Sequence, residues 1–341
     1  MTLTNTRKVF LIVILLLAIA YIIFSLAELE NILAALRQSR PLYLGVAVAV
    51  EAVLLVNTAA TFWALYRLVG LQEIPRSLFL MVTAATFVNL ITPSSGMGGM
   101  AVFYDEARRH DLSTGRVTVV AVLYVLYEYV ALFAALAVGF VKLVQLGKLN
   151  TAEVLAVGFL LVVGITIATG LAVGYRSTVQ LGKVLAWLAG AVNRLLHPFL
   201  HRDYLNVSSA YTLSDEMVDG LAALRGARPG EILLPLLFTV INKLLLILIL
   251  ALSFLALGTP ASAGTVVAGF SIGHLFVYAS PTPSGIGFVD SILPLALNSL
   301  GVPFPRAVLV SLVYRAVTFW LPLVLGAVAF RNLQRSHAER A

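Results

Sequence analysis

The sequence predicts an all-α polytopic membrane protein built as an inverted repeat of span, re-entrant hairpin and span, with about six full spans and two re-entrant hairpins in all. Three observations lead there. Of the residues, 60% are hydrophobic and 11% charged, with a mean hydropathy of +0.97; several apolar runs approach the ~20 residues that cross a bilayer. The stretch Ile91-Thr92-Pro93-Ser94-Ser95-Gly96-Met97-Gly98-Gly99 returns as Ser280-Pro281-Thr282-Pro283-Ser284-Gly285-Ile286-Gly287 about 190 residues later. The Lys and Arg residues favour one topology over its alternative.

Each copy of the repeated stretch interrupts an apolar run. Proline lacks the amide donor and glycine tolerates positive φ, so both stretches break a helix and leave peptide groups without intrahelical partners. In lipid such backbone must be buried in protein or line a polar cavity. Two breaks at matching places in two halves point to a transporter binding site; two ordinary tight turns between spanning helices are the alternative.

Taken in order, Arg7 and Lys8 precede an apolar run, and residues 9–26 are expected as an uncleaved first span. Ser25-Leu26-Ala27 also offers the small-x-small site of a signal peptide, but the run is long for one and further spans follow. The first repeat, residues 42–141, opens on a span from Leu42 to Tyr66 that carries Glu51. It continues from Leu78 to Ile91 into the first break, passes the polar stretch Tyr104 to Asp111, and closes on Val117 to Val141 with Glu128 at its middle. Residues 154–175 form a connecting span. Over 176–231 the hydropathy falls, while Leu181, Val184, Leu188, Val192 and Leu195, then Leu213, Met217, Leu221 and Leu224, recur at helical spacing. That is the pattern of an interfacial amphipathic linker, or of a connector packed on the loops. The inverted second repeat, residues 232–330, runs through a span bearing Asn242 and Lys243, then Val266 to Ala279, the second break and Phe288 to Leu300. It ends on Ala307 to Phe330 with Arg315 and Trp320 inside.

If every apolar piece crossed the bilayer, the linker bearing Arg176, Lys183, Arg194, Arg202, Arg225 and Arg228 would face outward, against the positive-inside rule. With both broken segments re-entrant, the linker joins Arg7, Lys8, Arg67, Arg76, Arg108, Arg109, Arg116, Arg331, Arg335 and Arg340 on the inner side. Gly258 to Gly264, without charge, lies outside. Both termini are then cytoplasmic in a multi-pass protein of the prokaryotic inner or plasma membrane. The net charge of +7 is a topology signal rather than a nucleic-acid footprint. The two repeats start on opposite faces, so their hairpins enter from opposite sides. In register, Tyr127-Glu128 lines up with Tyr314-Arg315.

A charge at a span's centre costs ~2.5–3.5 kcal/mol on the insertion scale, so it is not retained for packing. Glu51, Glu128, Lys243 and Arg315 are such charges. Glu128 and Arg315 are expected as partners across the halves, with Asp290 joining them. They form either a structural pair that docks the halves or part of a chamber. In the chamber, Arg315 and Lys243 hold an anionic headgroup while Glu128 or Asp290 carries a proton or a sodium ion. Thr92, Ser94, Ser95, Thr282 and Ser284 add hydroxyls, and Tyr314 stands beside Arg315. Around Gly98, Gly99, Gly285 and Gly287 the breaks expose backbone, and helices starting there aim amide donors at the chamber. Asn57, Asn89 and Asn242 line it or bond neighbouring helices; His274 is expected to pack in the second hairpin. Cysteine is absent, and no P-loop, H-E-x-x-H or G-x-S-x-G pattern occurs. No catalytic residue, metal or cofactor is expected.

Pro281 to Asp290, Leu300-Gly301-Val302-Pro303, Ala307 and Leu312-Val313-Tyr314-Arg315-Ala316-Val317-Thr318-Phe319-Trp320-Leu321-Pro322 resemble the C-terminal signature of a known family, the lysylphosphatidylglycerol synthase transmembrane-region family of flippase-like integral membrane proteins. The first break with Gly98-Gly99, and Leu112-Ser113-Thr114-Gly115-Arg116, resembles its N-terminal signature. Asp290 stands where the family often has Glu, and Tyr127-Glu128 where Glu-Arg is common. The resemblance implies movement of a phospholipid or lipid-linked headgroup between leaflets. Fused members also carry a cytoplasmic aminoacyl-transferase domain that makes the lysyl lipid; this chain ends at Ala341 without one, so synthesis is not expected. The expectation is a lipid flippase-like transporter, not an enzyme. Its partners would be a phospholipid or lipid-linked substrate and membrane lipids, with no nucleic acid; an oligomer is compatible with it. An ion-coupled small-solute transporter on the same scaffold and a non-transporting membrane scaffold are the other classes.

Overall fold

The protein is described by a computed structural model covering residues 30–92, 98–145, 147, 151–200, 207–280 and 288–338; the expected first span, 9–26, lies outside these. The chain is an all-α polytopic membrane protein. Helix α1 covers residues 30–37. It is followed by α2 Pro41–Leu68, α3 Pro75–Ile91, α4 Met100–Arg109, α5 Thr114–Gln145, α6 Thr151–Arg176, α7 Thr178–Leu200 and α8 Val207–Gly226. Then come α9 Pro229–Ala256, α10 Ala263–Ala279, α11 Phe288–Ser299, α12 Phe304–Arg315, a π-helical turn Ala316–Trp320 and α13 Leu321–Ala338. Among the described residues, five helical stretches are long and apolar enough to cross a membrane: Pro41–Leu68, Thr114–Gln145, Thr151–Arg176, Pro229–Ala256 and Phe304–Arg335. Proline opens α2, α3, α9 and α12 within the first turn, where a missing amide donor removes no helical bond.

The helices flanking the breaks are too short to cross. α3 and α10 have 17 residues each, α4 has 10 and α11 has 12, against the ~20 that span hydrocarbon. Both pairs fold back as hairpins. A Cβ on Gly99 would meet the Ala85 carbonyl oxygen two turns back along α3, and Gly269 faces Leu297 while Gly273 faces Leu293, an antiparallel register of α10 on α11. At Gly99 the contact is with backbone and leaves no room for a methyl group, whereas at Gly269 and Gly273 a Cβ would press on the Leu297 and Leu293 side chains.

Helix starts at Pro41, Pro75 and Met100 correspond to starts at Pro229, Ala263 and Phe288 at constant separation. The equivalent helices α2 and α9, each 28 residues long, run antiparallel. Arg40 N donates to Ala256 O at 2.8 Å near one end. Asn57 Nδ2 donates to Phe238 O at 2.7 Å and to Asn242 Oδ1 at 2.6 Å farther along. The repeat is therefore inverted.

Its two seams also match. In one, α5 packs antiparallel on α10 through Glu128 with Tyr278, Ala135 with Ser271, and Lys142 with Gly264. In the other, α13 packs on α3. Gly139 on α5 receives Ser271, and Gly326 on α13 receives Thr83 and Phe87. These are equivalent positions in the two halves, where a small residue lets the backbones approach closely.

The linker helices α7 and α8 pack on each other, and α8 packs on α5. Met217 and Leu221 are buried in the same apolar cluster as Val117, Val119 and Val120, joined by Leu181 of α7, with Leu213 and Leu224 packed against it. The apolar stripe of α8, and Leu181 of α7, thus meet protein. Glu216 of α8 caps the N-terminus of α5, accepting from Thr114 Oγ1 at 2.5 Å and Gly115 N at 3.0 Å. A carboxylate there faces the positive end of the helix dipole.

Candidate functional site

At the first break, α3 ends on Thr92, which is extended, with its Oγ1 donating to Val88 O at 2.7 Å. Gly99, the residue before α4, has its amide donating to Asn89 Oδ1 at 2.5 Å. The Asn89 side chain thus supplies the acceptor that the interrupted helix no longer offers. The Gly98 carbonyl accepts from Ala101 N at 3.1 Å. Beside this turn lies a cavity of ≈ 40 Å³ lined by Thr58, Thr86, Asn89 and Tyr124 among apolar neighbours, room for a water molecule or two. Ser94, Ser95, Thr282, Ser284, Gly285 and Gly287 lie outside the described residues.

Glu128 does not meet Arg315. Its Oε2 accepts at 2.5 Å from Lys243 Nζ and at 2.5 Å from the Tyr278 hydroxyl. Lys243 Nζ also lies 3.2 Å from His274 Nε2 and donates to the Tyr278 oxygen at 3.4 Å. An ammonium has only donors, so His274 Nε2 is the acceptor and the ring proton sits on Nδ1. This network ties α5, α9 and α10 together, with His274 stacked on Phe270 at 4.8 Å between centroids. Both charged side chains are buried.

Arg315 turns instead to Asp290, with Nε 2.6 Å from Oδ1 and Nη2 3.4 Å from Oδ2. Its guanidinium carbon lies 4.4 Å from the Phe319 ring centroid. Asp290 occupies the first turn of α11, where a carboxylate complements the helix dipole. The π-helical turn follows Arg315 directly, a distortion that recurs at functional sites. Tyr314 lies within electrostatic reach of both Arg315 and Glu51.

The arrangement differs from the expected open anion chamber in two ways. Both cations already face carboxylates, and the Gly99 amide is bound by Asn89. The reason is energetic: a lone charge or bare amide is far costlier inside an apolar bundle than a paired one. Asn57 and Asn242 bond each other across α2 and α9. Tyr278, which sequence reasoning passed over, completes the Glu128 site. Its signal was its place four residues after His274, on the same face of α10.

Residues 9–326 match the family model described as lysylphosphatidylglycerol synthase TM region. The chain belongs to this family. Among curated relatives of this member, a UPF0104 membrane protein of Methanocaldococcus jannaschii is 23% identical over 309 residues, covering 90% of this chain and 89% of the relative. A UPF0104 membrane protein of Methanothermobacter thermautotrophicus is 25% identical over 328 residues, covering 95% and 94% respectively. The family match takes in both breaks, the Glu128–Lys243 centre and the Asp290–Arg315 centre of this lysylphosphatidylglycerol synthase TM region protein.

Proposed function

We propose that the protein is a lipid flippase-like transporter, not an enzyme, that moves a phospholipid or lipid-linked headgroup between leaflets through the interface of its two repeats. The observation that carries this reading is the pair of inverted helical hairpins, each too short to cross, standing beside two buried ion-pair centres in an otherwise apolar bundle. In this reading the hairpins are re-entrant and enter from opposite faces of the cell membrane, with the arginine-rich ends of the helices and both termini cytoplasmic. The phospholipid in the family's name favours a lipid cargo over a small solute. The ≈ 40 Å³ cavity beside the first break is far below the ~300–1,000 Å³ of a ligand pocket, and in this reading transport requires the repeats to separate. Glu128 of the first repeat and Lys243, Asp290 and Arg315 of the second then offer a headgroup two carboxylates and two cations as they exchange partners.

The test is reconstitution into vesicles carrying phosphatidylglycerol or phosphatidylethanolamine with a fluorescent tag that dithionite quenches in the outer leaflet. The wild-type chain is expected to render the inner-leaflet pool quenchable, and Arg315→Ala to abolish that movement without preventing insertion. Equal quenching with and without protein for both lipids refutes the lipid reading. Movement that is unchanged in Arg315→Ala removes Arg315 from the site.

A further inference from the structure

Glu51 stands apart from both ion pairs. It lies about 15 Å from the start of α2, well inside hydrocarbon depth, and is 2% exposed. Among the described residues its Oε2 is buried without a hydrogen-bond partner. Its helix neighbours Ala47, Val50 and Leu54 belong to the apolar cluster that holds Val310, Val313, Tyr314 and Val317. The lipid-facing side of α2 is elsewhere, at Val46, Val53 and Val56.

The elements packed on α2 bring few titratable groups toward it. α3 carries only Arg76, at its first turn. From α9 comes Lys243, committed to Glu128 of α5, and Tyr127 of α5 donates to Ile232 O. Arg315 is committed to Asp290. Among the described residues, that leaves the Tyr314 phenol as the titratable group within electrostatic reach of Glu51. An uncompensated carboxylate in such surroundings is costly, and an intramembrane ionisable residue without a structural partner marks a pathway for ions or protons.

We propose that Glu51 is a proton-binding site that links headgroup movement to the proton gradient, taking up a proton from one side of the membrane and releasing it to the other as the repeats exchange conformations. The linkage rests on the transport reading above. A proton fits better than a metal cation. A sodium-like ion needs several oxygen ligands, whereas Glu51 has one phenol in range, and the described residues contain no acid or histidine cluster able to hold a metal. The carboxyl is neutral when packed as seen here and becomes charged only when the interface opens and water reaches it.

The test uses the full chain in phosphatidylglycerol–phosphatidylethanolamine vesicles. Dicyclohexylcarbodiimide partitions into lipid and reacts with the acid form of a carboxyl group. It is expected to modify Glu51, detected by peptide mass spectrometry, with a yield that falls as the pH is raised. Glu128 and Asp290, each engaged by a basic side chain, should stay largely unmodified. Absent or pH-independent modification of Glu51 overturns proton binding. In the same vesicles an imposed pH gradient is expected to change tagged-lipid movement several-fold, and Glu51→Gln to lose that response. A response that survives in Glu51→Gln overturns the coupling. Should that variant not fold, carbodiimide-modified wild type replaces it. If wild type moves neither lipid under any gradient, the transport reading and the coupling both fail, while the carbodiimide result still decides whether Glu51 binds a proton.

Discussion

Lys243→Met replaces the ammonium of α9 with an unbranched apolar side chain of similar reach and leaves Glu128 with only the Tyr278 hydroxyl. At the observed 2.5 Å separation and an effective dielectric near 20, the attraction between the two charges is about 6–7 kcal/mol. Desolvation costs several kcal/mol per ion, so the intact pair comes out close to neutral against an apolar replacement. Removing one partner is different, because an orphaned buried charge costs about 3–5 kcal/mol. Lys243→Met is therefore expected to destabilise the fold by about that amount. Glu128→Gln should cost less, since Lys243 keeps His274 Nε2 and the Tyr278 oxygen as acceptors. The double variant should recover most of the loss.

The assay is reversible unfolding in mixed micelles by titration with a denaturing detergent, followed by circular dichroism, for wild type, both single variants and the double variant. The same cycle on Asn57 and Asn242 supplies the scale for a neutral interhelical bond, about 0.6 kcal/mol on average in a membrane bundle. Additive losses at Lys243 and Glu128, within about 0.5 kcal/mol, would refute the buried pair. Equal coupling in the two cycles would refute its electrostatic origin.

Gly139→Val and Gly326→Val each press a side chain into the facing helix, at Ser271 and at Thr83 and Phe87 respectively; each should cost about 1–3 kcal/mol in the same unfolding assay. Gly158→Val, with nothing near its Cβ, should be nearly silent. Asn89→Ala removes the acceptor of the Gly99 amide and should cost about 1–3 kcal/mol, with faster hydrogen exchange at Gly99. Gly99→Ala should be at least as damaging, because its Cβ would lie 2.5 Å from the Ala85 carbonyl oxygen. Tyr278→Phe keeps the ring but removes one donor to Glu128, and should cost about 1.5–3 kcal/mol, less than Lys243→Met.

The hairpins were legible in the sequence because their cause is local. Thr92-Pro93 and Ser280-Pro281 end helices by removing donors, and the apolar runs before them stop at Ile91 and Ala279 whatever else surrounds them. Asp290 beside Arg315 was legible, but the partner of Glu128 was not, for a reason that lies in the symmetry itself. Glu128 and Arg315 hold equivalent places in two halves related by a two-fold axis, and equivalent residues touch only where the axis passes between them. Asn57 and Asn242 lie close to that axis and meet; Glu128 and Arg315 lie off it and turn to different neighbours. The position in α2 equivalent to Lys243 is the apolar Leu55, and the one in α4 equivalent to Asp290 is Val102, so neither pair has a counterpart in the other half. Which partner each charge takes depends on helix rotation, and hydropathy says nothing about that.

That asymmetry decides how the two seams resist separation. Pulling α10 from α5 strips Glu128 of the Tyr278 donor and breaks the bond from Ser271 Oγ to Ala135 O, 3.1 Å long. On the other side, Thr83 bonds its own helix at Phe79 O. There α3 and α13 meet through Gly326 against Thr83 and Phe87 and through the Phe87 and Phe330 rings, 5.8 Å apart. Lipid tails solvate such apolar surface almost as well as protein does, so parting it costs mainly packing contacts. Parting the first seam leaves a carboxylate short of a hydrogen bond in hydrocarbon, which costs more. The cavity beside Gly99 borders α3. On the transport reading, the easier seam to part is therefore the one next to the first break, with the Lys243–Glu128–Tyr278 network bracing the opposite side.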